Sequence, residues 1–232
     1  MQVWVDLEYH SACKGPAAPK ECLSEAMNVI ERNVPITLIR HSLDALPEYQ
    51  LPAGYEIRSY VPGDEHAWIE IHRQAERFNI ITMERFIRAF GTDSAELHAR
   101  QLYLRTAADE PIGTATAWFA CDADGAMIGR VHWVALIPAY QGRGLSKPLL
   151  ARVCQQLHAC RYPRAYLVTS TARLPAINLY LQFGFVPWIR SSTDQAAWQD
   201  LAPYVPRLTS DPGRAHMTQP PEPMSRMGTP DE

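Results

Sequence analysis

Between Gln141 and Ser146 the chain reads Gln-Gly-Arg-Gly-Leu-Ser, directly after the apolar run from Trp133 to Ile137 and Pro138-Ala-Tyr140. Gly142 and Gly144 carry no Cβ, so the backbone N–H groups of this loop approach an anion closely. A helix beginning near Ser146 adds the positive end of its dipole. An apolar strand, a glycine turn and an amphipathic helix together make a phosphate cradle, and a pyrophosphate fits it. The loop is not a Walker A motif, which needs four residues between its first Gly and a Gly-Lys-Ser/Thr, and the third Gly of the dinucleotide fingerprint is missing. A nucleotide-phosphate enzyme is therefore disfavoured.

A second stretch, Ala176-Ile-Asn-Leu-Tyr180-Leu-Gln-Phe-Gly-Phe185, lies about one helix and one strand further on. The two motifs in this order resemble the GNAT superfamily of acetyl-CoA-dependent N-acetyltransferases. Gln141-x-x-Gly144-x-Ser146 is similar to its Gln/Arg-x-x-Gly-x-Gly/Ala signature, and the second stretch to its Ala-x-x-Leu-Tyr-x-x-x-Gly-Phe motif. Ser146 stands where the family usually has Gly or Ala. Arg173 stands where many members carry Asn, and a phosphate contact is expected of it instead. The resemblance implies that Leu136, Ile137, Gln141, Gly142, Arg143, Gly144, Leu145, Ser146 and Arg173 bind acetyl-CoA as co-substrate, with no metal. It also implies direct attack of an amine within a ternary complex, without a covalent enzyme intermediate. The alternative is a regulatory module that binds CoA without turnover.

Acetyl transfer from a thioester to an amine requires a base for the amine, donors for the carbonyl oxygen and an acid for the departing thiolate. Strict alternation along the strand before the cradle puts His132, Val134 and Leu136 on one face and Val131, Trp133 and Ala135 on the other. His132 then shares a face with Leu136, whose backbone in the family lies beside the thioester. Some members carry a histidine at this position that helps deprotonate the amine, and an imidazole suits the task. Tyr180 is the candidate acid, since the family's motif places its hydroxyl near the sulfur. The competing readings are a sheet-packed histidine and an aromatic core residue. Cys154, His158 and Cys160 lack the paired spacing of a zinc site. His66, Glu70 and Glu76 read as the solvated face of a helix.

The elements that must position these groups follow from periodicity. Ile36–Arg40 and Tyr55–Tyr60 read as strands, with a Pro-rich connection between them. Pro62-Gly63-Asp64 supplies a turn and a helix N-cap, Trp68 to Phe78 fit a helix face, and Met83–Phe90 a second helix ending at Gly91. Leu102–Arg105, Pro111–Ala120 and Arg130–Leu136 read as successive antiparallel strands joined by turns at Ala107–Glu110 and Asp122–Gly125. Leu149, Leu150, Val153 and Leu157 recur at helical spacing. Ala165–Thr169 is a further strand, and Phe185–Ile189 closes the set. The expected fold class is α/β: a GNAT-type mixed, mostly antiparallel twisted sheet flanked by helices.

The 232 residues, 47% hydrophobic and 20% charged, suit one globular domain with extensions. Residues 1–35 read as an N-terminal extension, 36–205 as the acetyltransferase domain and 206–232 as a Pro-rich disordered tail. Within the extension Met1–Leu7 is a candidate strand and Leu23–Ile30 a candidate short helix. A net charge of −3 gives no footprint for nucleic acid, and no apolar run reaches the length of a bilayer span. Five cysteines without Cys-x-x-Cys spacing point to reduced thiols and a cytoplasmic setting. The expected partner is a small-molecule or peptide amine, and homodimerisation is compatible with this reading.

Overall fold

A computed structural model describes residues 27–121 and 125–209. The strands are β1 (Pro35–Arg40), β2 (Tyr55–Ser59), β3 (Gln101–Thr106), β4 (Pro111–Cys121), β5 (Met127–Leu136), β6 (Ala165–Ser170) and β7 (Val186–Pro187). They form one seven-stranded sheet in the order β2-β3-β4-β5-β6-β1-β7. Every neighbouring pair is antiparallel except β5 with β6, which is parallel. The mixed, mostly antiparallel sheet expected from the sequence is what forms.

The helices are α1 (Asp64–Ala75), α2 (Met83–Phe90), α3 (Ser94–Arg100), α4 (Ser146–Ala159), α5 (Leu174–Gln182), α6 (Ser192–Leu201) and α7 (Pro206–Thr209). α1 packs on β4 and β5 from one side and α4 on β3, β4 and β5. The two helices lie on opposite faces, because Leu157 of α4 approaches Gly129 while Phe90 of α2 meets His132. Covered on both sides, β4 is buried almost continuously from Ile112 to Ala117 rather than alternately.

Local chemistry explains the helix starts. Asp64 opens α1: its carboxylate accepts the Val61 N–H at 2.8 Å and clamps Arg58 through two bonds of 2.6 and 2.9 Å. Thr82 caps α2 by accepting the Arg85 N–H at 3.2 Å, and the helix ends at Gly91, whose φ is 74°. Asp93 caps α3 by accepting from Ala95 and Glu96. The sequence reading omitted α3 and α6. α3 spans seven residues and buries only Leu97, too little for a periodic signal.

Three boundaries differ from expectation. β7 is two residues long rather than Phe185–Ile189, with Pro187 unable to donate to a ladder. Pro206–Thr209, expected as the start of the disordered tail, is a helical turn with Leu208 packed against the core. Val29–Asn33 forms turns instead of continuing a helix; Val29 is buried, and its carbonyl and the Val34 N–H are held by the Thr171 hydroxyl. The expected strand Met1–Leu7, residues 23–26 of the expected helix, residues 122–124 of the expected turn and residues 210–232 of the tail lie outside the described residues.

Candidate active site

The β5–β6 ladder holds only at Gly129↔Ala165 and Arg130↔Tyr166. Beyond that rung β5 continues to Leu136 and β6 to Ser170, unpaired with one another. The parallel strands thus part into a wedge, and a strand edge is left on β5 where it leads to the glycine loop.

At the end of that edge the loop is as the glycines demand. Gly142 and Gly144 have φ of 76° and 78°, and no atom lies within 4 Å of where a Cβ would project from either. Their missing side chains therefore face open space. Gln141 folds back so that its Nε2 donates to the Leu136 carbonyl at 2.8 Å, tying the loop to the strand. Ile137 and Leu145 are buried in the core, which leaves only their backbone for a ligand. The Arg143 guanidinium lies 4.7 Å from the centre of the Tyr140 ring. Ser146 is the first residue of the fourteen-residue α4.

His132 and Leu136 do not share a face. Thr116 of β4 is opposite His132 whereas Thr114 is opposite Ala135, so two steps along β4 match three along β5. The extra residue is a β-bulge at Trp133, whose φ is 47°. It shifts the alternation by one, so His132 falls in phase with Ala135, and Leu136 with Val131. His132 and Trp133, neighbours in sequence, both reach the aromatic cluster under α1 and α2.

That cluster centres on Trp68, with ring separations of 5.1 Å to Trp133, 5.4 Å to Phe86, 5.8 Å to Phe90 and 4.3 Å to His72. His72, 2% exposed, meets the Trp133 ring at 5.0 Å at the bulge, while its Nε2 is buried without a partner among the described residues. Burial pushes the His72 pKa down to about 3, so the ring is neutral. Burial, and then the charge of Arg130, hold His132 well below its usual range. Its imidazole is therefore unprotonated near neutral pH.

Tyr180 lies on α5, 7% exposed, within electrostatic reach of Cys154 and Arg173. Burial raises its pKa to about 12, against the pull of Arg173, so the hydroxyl keeps its proton. Arg173, expected beside a phosphate, is committed elsewhere. Its Nη2 donates to both carboxylate oxygens of Glu76 at 2.7 and 2.8 Å, its Nη1 donates to Ser170 Oγ at 2.9 Å, and its guanidinium covers the Phe78 ring. Burial alone would raise the Glu76 pKa, but the Phe78 N–H and Arg173 bring it below the ordinary value. Sequence reading grouped Glu76 with His66 and Glu70; those two are exposed, whereas Glu76 joins the end of α1 to the start of α5.

Cys154 is buried, and the His158 ring, more than half exposed, lies 3.4 Å from Asp44. Among the described residues no group of three or more His, Cys, Asp and Glu is placed to hold a metal. Nor is any described helix long and apolar enough to cross a membrane.

A family model described as the acetyltransferase (GNAT) family matches residues 65–185. The chain is 29% identical to a mycothiol acetyltransferase of Thermomonospora curvata, the match covering 74% of this chain and 58% of that protein. It is also 29% identical to a mycothiol acetyltransferase of Streptomyces coelicolor, over 61% of this chain and 46% of that protein. The chain thus spans about half the length of the curated relatives it matches. The crystal structure of a GCN5-related N-acetyltransferase from Sphaerobacter thermophilus is similar in fold, with a TM-score of 0.55 at 23% identity. That likeness covers 67% of this chain and 49% of the other.

Proposed function

The chain belongs to the GNAT acetyltransferase family, and from that premise we propose that it transfers the acetyl group of acetyl-CoA to a primary amine by direct attack in a ternary complex. The observation that carries the reading is the wedge. The β5–β6 ladder stops at Arg130–Tyr166, and the edge so freed leads into the Gly142–Gly144 loop at the start of α4. The pantetheine arm of CoA is a chain with two amides, and an unpaired strand edge supplies the backbone partners for it. The pyrophosphate then meets loop N–H groups and the helix dipole.

In the reaction the amine nitrogen bonds to the thioester carbonyl carbon and the C–S bond breaks. The amine's surplus proton passes to His132, directly or through the solvent, and the thiolate takes a proton from the Tyr180 hydroxyl. Near neutral pH His132 is unprotonated and Tyr180 protonated, the states in which an acceptor and a donor must start. The names of the relatives support testing the amine that mycothiol acetyltransferases accept.

Calorimetric titration with acetyl-CoA and, separately, ATP tests the proposal, followed by thiol release across a panel of amines. Acetyl-CoA binding with amine-dependent CoA release is expected; binding of ATP in place of acetyl-CoA would overturn it.

A further inference from the structure

Beside the wedge, on the sheet face that carries His132, two guanidiniums lie on aromatic rings rather than against carboxylates. Arg130 sits 5.6 Å from the centre of the Tyr166 ring, Arg190 sits 4.8 Å from that of Trp188, and the two rings meet edge to face at 5.8 Å. The register explains the grouping. Arg130 is opposite Tyr166 on the last rung of β5–β6, and Trp188 follows β7 with its N–H bonded to the Thr37 carbonyl on β1. Val168, on β6 beyond Tyr166 on the same face, is 50% exposed, so this part of the sheet is open.

Among the described residues neither cation is neutralised. Among the described residues no carboxylate comes within ion-pair distance of Arg130 or Arg190. The Arg130 Nε is buried without a hydrogen-bond partner, a costly arrangement for a charged group. Arg190 donates to the Thr37 hydroxyl at 3.2 Å, and the carboxylate nearest in sequence, Asp194, accepts the Arg190 backbone N–H instead. A chain with a net charge of −3 has no general surplus of cations to scatter here. Both guanidiniums act electrostatically on the Tyr166 hydroxyl, which places them around one spot.

We propose that Arg130 and Arg190, on their Tyr166–Trp188 platform, bind an anionic group of the acceptor, so that the amine substrate also bears a carboxylate or a phosphate. This rests on the acetyl-transfer reading of the same site. Arg130 and His132 are two residues apart on one face of β5, about 6.6 Å along a strand. An amine held at His132 thus carries its anion within a short chain of the nitrogen. A bound anion also offsets the Arg130 charge that depresses His132, making the imidazole a stronger base once the matching acceptor is seated.

The test compares matched amines with and without the anion: an amino acid against its amide for carboxylate, and glucosamine 6-phosphate against glucosamine for phosphate. Acetyl-CoA affinity, measured separately, reports on the acetyl-transfer reading. With that affinity intact, kcat/KM for one anionic member should exceed its neutral partner by roughly tenfold or more. Whichever pair shows the preference identifies the anion. Arg190→Gln, at an exposed position, and Arg130→Gln should each erode the preference through KM, with acetyl-CoA affinity unchanged. Equal use of both members, or a preference that survives both substitutions, would overturn the inference alone. If no amine turns over, calorimetric binding of the same pairs decides: selective binding of the anionic member, lost in Arg190→Gln, supports it, and no selectivity refutes it.

Discussion

The two ends of β5 work by different means. At its C-terminal end the proposed cradle is a local object: six consecutive residues, two left-handed glycines and a helix start. Around the bulge, the proposed acceptor side is assembled from side chains on α1, α2, β4, β5 and β6, tied by the Glu76–Arg173 pair and by rings around Trp68. A site made of backbone tolerates side-chain change but not a Cβ in the wrong place. A site made of distant side chains depends on each tie holding its neighbours in phase.

The sharpest way to break that contrast is at the chemistry both ends serve. Tyr180→Phe should lower kcat about a hundredfold while leaving acetyl-CoA affinity nearly unchanged, as measured by steady-state kinetics beside calorimetry. A comparable loss of affinity would make Tyr180 part of the cradle instead. Next comes the backbone site. Gly144→Val should weaken acetyl-CoA binding at least about tenfold, because a β-branched residue at φ 78° is strained and its side chain enters the space kept for the ligand. Undiminished affinity would remove the cradle assignment.

The side-chain site answers to a different change. Glu76→Gln should cost about 2 kcal/mol in denaturant-measured stability, since it breaks charged bonds to Arg173 in a mostly buried setting. It should raise the acceptor KM more than the acetyl-CoA Kd. Equal changes in both would dissolve the distinction between the two regions.

A further effect is in pH. His72 is neutral when folded, with a pKa near 3, and takes up a proton near 6.5 when unfolded. The unfolded state therefore binds more protons between those values, and stability falls as pH drops below 6.5. The slope is up to about 1.4 kcal/mol per pH unit for each such histidine. His132, depressed in the same direction, adds to it. His72→Phe should flatten the slope by one proton's worth in denaturation curves between pH 4.5 and 6.5; an unchanged slope would place the titration elsewhere.

This division also governs what the sequence discloses. The cradle is legible because its requirements fall on adjacent residues: glycines where φ is positive, an apolar strand before, helical spacing after. The capped helix α2 and the long strand β4 are legible for the same reason. The Glu76–Arg173 bond joins positions 97 apart, and no local pattern marks it. Nor did alternation disclose the bulge, since Trp133 in a strand resembles any other aromatic strand residue. His72 read as one residue of an apolar helix face, and only its contact with the Trp133 ring shows that it packs against the bulge.

The bulge at Trp133 makes the spacing between the acceptor face and the cradle a matter of parity. Deleting one residue there would return β5 to an even register, turning either His132 or Leu136 with its following loop to the opposite side of the sheet. Insertions and deletions of a single residue across residues 132–136 therefore break the phase between His132 and the loop, whereas substitutions at Val134 leave it intact. In a lineage of such chains this segment would stay constant in length.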